Sequence, residues 1–189
     1  MQHWQPIDGI AYYLRPMQLS DAQSMLAIRC DPSRNGFIHQ TDPSIDKQEA
    51  WIRAKLTCDD DLTMVIVSKS DHAPKGFMSL YEIDEAKRTA RQGRWLISPG
   101  SRCVSEFALL GYELIFERLR FHMIYAKIPA GHKTVIAFQT RLGAKFVETA
   151  PEYTSLEDGT HQLQRYELRK EAWPQMKGML STMVSRHSN

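Results

Sequence analysis

Arg102 lies between two serines in the segment Pro99-Gly100-Ser101-Arg102-Cys103-Val104-Ser105, where a strand pattern gives way to a helix pattern. A guanidinium, the Ser101 and Ser105 hydroxyls and the first N–H groups of a helix are tools for holding a phosphate. A helix N-terminus carries unpaired donors and partial positive charge. Further on, His132 opens a short helical stretch, HKTVIAFQTRLG, that also contains Gln139. An imidazole can hydrogen-bond and titrate near neutrality, whereas a Gln amide donates a hydrogen bond but delivers no proton. His39, in FIHQTDP, and Glu82, in GFMSLYEI, are residue types that serve as general bases.

The elements that must position these residues can be read from periodicity and turn chemistry. Residues 11–17 form a first strand, and Ser20-Asp21-Ala22-Gln23 matches a capping box for the helix carrying Met25, Leu26 and Ile28. A polar loop over 31–43 leads to a second helix starting at Ser44–Asp46. The β-branched run Leu62–Ser68 reads as a buried strand, and Gly76–Ile83 as its hairpin partner. DEAKRTARQG is expected to be a charged connection, with Lys87, Arg88, Arg91 and Arg94 in solvent, before a strand at Arg94–Ser98. Phe107, Leu110, Gly111, Leu114, Ile115 and Leu119 line one face of a helix. A strand over Met123–Ile128, a helix over Lys133–Leu142 closed by Gly143, and a strand over Ala144–Glu148 follow. A polar turn over 151–161, a strand over Leu163–Leu168 and an amphipathic helix over 170–184 complete the chain. Trp51 and Trp95 sit in apolar patterns and are expected in the core. The order is that of a mixed α/β fold built on one sheet.

The chain has 189 residues, 42% hydrophobic and 24% charged, with net charge +2. That predicts a single domain over 1–189, with 170–189 as an appended helix and tail. The mild charge argues against nucleic acid as a partner. Cys30, Cys58 and Cys103 are scattered, which suggests a reducing compartment rather than a disulfide framework. The N-terminal segment lacks a signal-peptide pattern, and no apolar run is long enough to span a membrane. A cytoplasmic location without membrane contact is the expectation.

HKTVIAFQTRLGAKF resembles the second conserved block of the GNAT acetyltransferases, in which an Asn, an aliphatic pair and an aromatic precede Leu-Gly-Phe. The order of elements over roughly residues 12–170 is similar to that family's. The resemblance implies an acyl-CoA N-acyltransferase fold, with a central, mostly antiparallel sheet whose middle strands splay between flanking helices. It also implies acetyl-CoA as acyl donor, and no metal. Leu96, Ile97, Ser98, Arg102, Cys103, Val104, Ser105, His132, Phe138 and Gln139 occupy the positions that would contact it. Three features depart from the family: its cofactor-loop glycines are absent, His132 replaces Asn, and Gln139 replaces the Tyr that often serves as general acid.

The implied reaction is direct attack of a primary amine on the thioester in a ternary complex, with Glu82 or His39 taking the proton. Strand register decides whether Glu82 or Tyr81 faces inward. FIHQTDPSIDKQEAWI, GRWLISPGS and the Asp-Gly turn before QLQRYEL most resemble acetyltransferases acting on nucleotide-linked amino sugars of bacterial surface polysaccharides. Peptide N-terminal acetyltransferases and a non-catalytic GNAT binding module are the alternatives, and a homodimer is compatible with each of these readings.

Overall fold

The run Leu62–Ser68 does form a strand, buried along its whole length, and the rest of the molecule is arranged about it. The computed structural model describes residues 4–33, 41–156 and 159–187. In chain order the strands are β1 (Ile7–Asp8), β2 (Tyr12–Pro16), β3 (Asp61–Ser68), β4 (Pro74–Asp84), β5 (Thr89–Ile97), β6 (Met123–Pro129), β7 (Lys145–Leu156) and β8 (Gly159–Arg169). The α-helices are α1 (Ala22–Arg29), α2 (Ile45–Leu56), α3 (Val104–Glu113), α4 (Lys133–Arg141) and α5 (Trp173–His187). All eight strands join one sheet in the order β1-β2-β3-β4-β5-β6-β8-β7. Every pairing is antiparallel except β5 with β6.

Alternation along β3 divides the core. Leu62, Met64 and Ile66 face a cluster that includes Phe107 and Leu110 of α3 and Met176 and Leu180 of α5. Val65 and Val67 face the opposite cluster, with Met25 and Ile28 of α1 and Ile52 of α2. A strand buried on both faces needs apolar residues at successive positions, which explains its unbroken hydrophobic run.

The ends of the helices follow their local chemistry. Ser44 caps α2, its Oγ accepting from the Lys47 N–H at 3.4 Å. At the end of α4 the Gly143 N–H donates to the Thr140 carbonyl (2.9 Å) and the Ala144 N–H to that of Gln139 (3.0 Å). That pair of bonds is a Schellman closure, and Gly143 takes the positive φ of 98° that it requires. Where α3 ends, a π turn over Leu114–Arg118 keeps Leu114, Ile115 and Phe116 buried.

Three expectations change. The capping box lies two residues earlier: the Asp21 side chain accepts from the Gln18 N–H at 2.8 Å, and a short 3₁₀ turn precedes α1. Most of DEAKRTARQG is strand, since β5 begins at Thr89. Its inward residues there are Ala90 and Gln92, small or polar, so no hydrophobic alternation announced it. The polar turn over 151–161 is largely hairpin: β7 runs to Leu156, and Ser155 pairs with Thr160.

Candidate active site

The parallel pairing of β5 with β6 covers only Thr89–Arg91 against Met123–Tyr125. Beyond it the two strands part, each held in the sheet by its other neighbour, β4 or β8. The opening forms a cavity of about 600 Å³, lined by β5 from Arg91 to Ile97, by β6 from Ala126 to Pro129, and by residues of α3 and α4.

Two bulges shape the β5 wall. Glu82 and Ile83 oppose Ala90 alone, and Arg94 and Trp95 together oppose Met78. Glu82 (φ 52°) and Arg94 (φ 51°) adopt the left-handed conformation, which costs a non-glycine residue about 1 kcal/mol or more. Each is tethered by an ion pair: Glu82 to Arg91 at 2.8 Å, Arg94 to Asp61 at 2.7 Å. The first bulge settles the register left open by the sequence. Tyr81 lines the cavity and Glu82 does not. The Glu82 carboxylate accepts from Arg91 and from the Tyr125 hydroxyl. Burial works against its ionisation, yet those partners prevail and hold its pKa below the usual carboxylate range.

Of the residues expected to contact the acyl donor, Leu96, Ile97, Val104, His132, Phe138 and Gln139 line the cavity. Ser98, Arg102, Cys103 and Ser105 do not. The Ser98 N–H is taken by the Lys75 carbonyl at 2.7 Å, Arg102 is exposed, and burial pushes the Cys103 thiol pKa up. His39 lies outside the described residues.

The start of α3 nonetheless suits an anion. Its N-cap is Cys103, no side chain caps it, and Val104 in its first turn reaches the cavity. The start of α4, at His132, likewise lacks a side-chain cap. Two helix N-termini without side-chain caps therefore border one opening, an arrangement suited to a phosphate.

The other end of the cavity was not legible as a site. Arg29, Arg91, Arg94 and Lys127 line it together with Tyr81. The Arg94 guanidinium lies 4.3 Å from the Tyr81 ring centroid and 5.5 Å from that of Trp51, and Arg91 lies 5.2 Å from Tyr81. Asp61, buried behind Arg94, also pairs with Lys55 at 2.8 Å. Arg91 and Arg94 were expected in solvent as part of a charged connection. The bulges, which a sequence pattern does not display, turn them onto the wall.

Trp95 packs as expected, edge-on to Phe107, Tyr112 and Phe138, but it also borders the cavity. Gln139 is buried, beside the Tyr112 hydroxyl at 3.4 Å. Its place among Val135, Ile136 and Phe138 was the one sequence signal for an inward polar group.

Burial pushes the Tyr112 hydroxyl up to about 12. Burial first, and then Glu82, do the same for Tyr125, also to about 12. A free phenol titrates near 10, so the folded state favours both neutral forms. That contribution is intact below about pH 10 and is lost as pH rises from about 10 to about 12. Phenolate absorbance in a pH titration should show two hydroxyls ionising only near the upper end, with Tyr112→Phe and Tyr125→Phe each removing one. Both ionising with the bulk of the tyrosines would contradict this.

The described residues hold no cluster of His, Cys, Asp or Glu suited to a metal ion, and no helix among them is long and apolar enough to cross a membrane. The fold is shared with solved structures. One is apo FdhC, described as a nucleotide-linked sugar GNAT: 22% identity, 90% of this chain and 93% of that one, TM-score 0.74. A GCN5-related N-acetyltransferase from Brucella melitensis matches at 16% identity over 94% of this chain and 84% of that one, TM-score 0.79. The spermidine N-acetyltransferase SpeG from Vibrio cholerae, in a mutant form, matches at 15% identity, over 85% and 94%, with TM-score 0.73. No curated protein sequence matches significantly. The profile of the "Acetyltransferase (GNAT) domain" family matches residues 12–145. The splayed strands and the cavity between them fall largely within that span, and the chain belongs to the GNAT acetyltransferase family.

Proposed function

We propose that this protein transfers an acetyl group from acetyl-CoA to a primary amine of an anionic small molecule, a nucleotide-linked amino sugar. The observation that carries this reading is the wall of Arg29, Arg91, Arg94 and Lys127 around Tyr81. No Asp or Glu is present among the described lining residues. Asp61, which pairs with Lys55 and Arg94, and Glu82, which pairs with Arg91, do not line the cavity, so the side chains of that wall present the charge that suits a phosphate. A polyamine or a peptide N-terminus brings positive charge and calls for the opposite lining. Tyr81 offers a ring for a base or sugar to stack on.

In this reading acetyl-CoA lies along Leu96, Ile97, Val104 and Phe138, with its diphosphate toward the starts of α3 and α4. A backbone N–H of β5, beyond the point where it parts from β6, polarises the thioester carbonyl. The amine attacks that carbon, the N–C bond forms and the C–S bond breaks. The same cations that hold the phosphate disfavour a neighbouring ammonium, which lowers the acceptor's pKa and supplies the neutral amine. Glu82 serves to hold Arg91 in the wall.

The test is release of free CoA from acetyl-CoA with three acceptors: a nucleoside-diphosphate amino sugar, spermidine, and a peptide with a free N-terminus. The nucleotide sugar is expected to be preferred. A preference for spermidine or the peptide would overturn the reading, and no calorimetric binding of acetyl-CoA would favour a non-catalytic module.

Gly93 offers a second check. A Cβ there would lie 2.4 Å from the Tyr81 hydroxyl oxygen, so Gly93→Ala must swing the ring off its place beside the arginines. Loss of one such stacking contact predicts an acceptor KM raised about 5- to 30-fold, corresponding to about 1–2 kcal/mol. The KM for acetyl-CoA should stay nearly unchanged. An unaltered acceptor KM would remove Tyr81 from the acceptor site.

A further inference from the structure

Moving a proton during the reaction asks for a side chain that can both take one and give one, and few of those lining the cavity can. Arg29, Arg91, Arg94 and Lys127 carry donors and no acceptor, and the amides of Gln92 and Gln139 deliver no proton. No carboxylate is among the described lining residues, since Glu82 is turned onto Arg91 and Tyr125. His132 qualifies, but it stands at the start of α4, away from the arginine wall. Tyr81, within that wall, is the other.

The Tyr81 hydroxyl is uncommitted. Tyr112, Tyr125 and Tyr166 each hydrogen-bond to a Gln or Glu side chain. The Tyr81 hydroxyl has no such partner among the described residues, and it is open to the cavity. Its place is nonetheless built. The Arg94 and Arg91 guanidiniums lie 4.3 and 5.2 Å from the ring centroid. Gly93 makes room for the other end of the ring: a Cβ there would stand 2.4 Å from the hydroxyl oxygen and 2.9 Å from Cε1. Gly93 follows closely on Arg91, the last residue of β5 that pairs with β6. The hydroxyl therefore rests against β5 where the two strands part, beside the N–H groups that polarise the thioester carbonyl.

We propose that Tyr81 is a catalytic residue whose hydroxyl relays the proton of the attacking amine to the departing sulfur. The inference rests on the acetyl-CoA reading above. Attack forms the N–C bond and leaves a positive charge on nitrogen. That N–H proton passes to the phenol oxygen as the phenol's own proton passes to sulfur. The C–S bond breaks with its electron pair on sulfur, which departs as the thiol. Amine and thioester become amide and free thiol, and Tyr81 ends as it began. A phenol suits the step because one oxygen both accepts and donates. Nitrogen and sulfur are bonded to the same carbon, so one oxygen can reach both. The relay puts no charge on Tyr81, and it relieves the arginine wall of a neighbouring ammonium, which that wall disfavours.

Tyr81→Phe keeps the ring against its arginines and removes the hydroxyl alone. Loss of positioned acid–base catalysis predicts a fall in kcat of about 100-fold. The KM values for acceptor and for acetyl-CoA should each move less than about threefold. A ring that only stacks would leave kcat as it is. Gly93→Ala, which displaces the hydroxyl, should also lower kcat, but should lower it no further in the Tyr81→Phe background.

Calorimetric binding of acetyl-CoA is measured first on each protein. If the wild type binds and turns over an acceptor, the relay alone is overturned by any of three results: a fall in kcat smaller than about tenfold in Tyr81→Phe, a defect confined to binding or KM, or kcat losses that multiply in the double variant. No binding by the wild type, or binding without turnover of any of the three acceptors named above, overturns the acetyl-transfer reading and the relay with it. If Tyr81→Phe does not fold, Gly93→Ala decides, and an unchanged kcat there sinks the proposal.

Discussion

Replacing Arg94 with glutamine is expected to raise the KM for an anionic acceptor about 30- to 150-fold, equivalent to about 2–3 kcal/mol for a charge-assisted hydrogen bond to phosphate. The KM for acetyl-CoA, bound at the far end of the cavity, should move less than about twofold. Arg94 suits this role because it is held on all sides. Asp61 takes its guanidinium through contacts of 2.7 and 2.9 Å, and Tyr81 and Trp51 flank it. Preorganisation of that kind means little ordering entropy remains to be lost on binding. Glutamine retains reach but neither charge nor the planar fork. Arg94→Lys, which keeps the charge alone, should fall between the two. Asp61 keeps Lys55 at 2.8 Å in either variant, so the fold should survive. Acceptor KM values unchanged in both would remove Arg94 from the acceptor site and with it the main support for a phosphate-bearing substrate.

Asp21→Ala should act on stability instead. The carboxylate is 1% exposed. It takes the Arg15 guanidinium at 2.6 and 2.8 Å and the Gln18 N–H at 2.8 Å. Deleting it strands a largely buried cation and leaves the turn from β2 into α1 without its closing bond. Breaking such a pair costs about 3–5 kcal/mol, or roughly 10 °C in Tm for a chain of this size. Asp21→Asn keeps an acceptor for Gln18 and should lose less. Well below the melting temperature, kcat/KM for both substrates should match the wild type, since none of these groups lines the cavity. A stability loss below about 1 kcal/mol would show that the pair is not one whose rupture leaves a buried charge uncompensated.

The contrast between these variants shows what a one-dimensional pattern can carry. Val65, Val67 and their neighbours announce a buried strand because a strand covered on both faces must be apolar throughout. Gly143 announces the end of α4 because only a residue free of Cβ strain closes a helix that way at low cost. Ala90 and Gln92, small or polar at the inward positions, announce nothing, so the first half of β5 reads as a connection. Glu82 and Tyr81 are neighbours in sequence, and a single extra residue in the β4 ladder decides which of them enters the cavity. A bulge depends on how two distant strands register, so it is a property of a pair of segments and not of either one.

The sequence by itself determined the order of elements, the mixed α/β class, the helix starts near Cys103 and His132, and the likeness that the family profile bears out. These follow from hydrophobic period, caps and turns, which act over a few residues. The tertiary structure decided the contents of the cavity. It turned Arg91 and Arg94 from an apparent solvent-facing run into a cationic wall, set Tyr81 inward, and placed Glu82 on Arg91. It also brought Tyr112 of α3 and Gln92 of β5 to the Gln139 amide. Those placements depend on where β5 parts from β6 and on two one-residue bulges, and such geometry exists only once residues far apart in the chain are packed against one another.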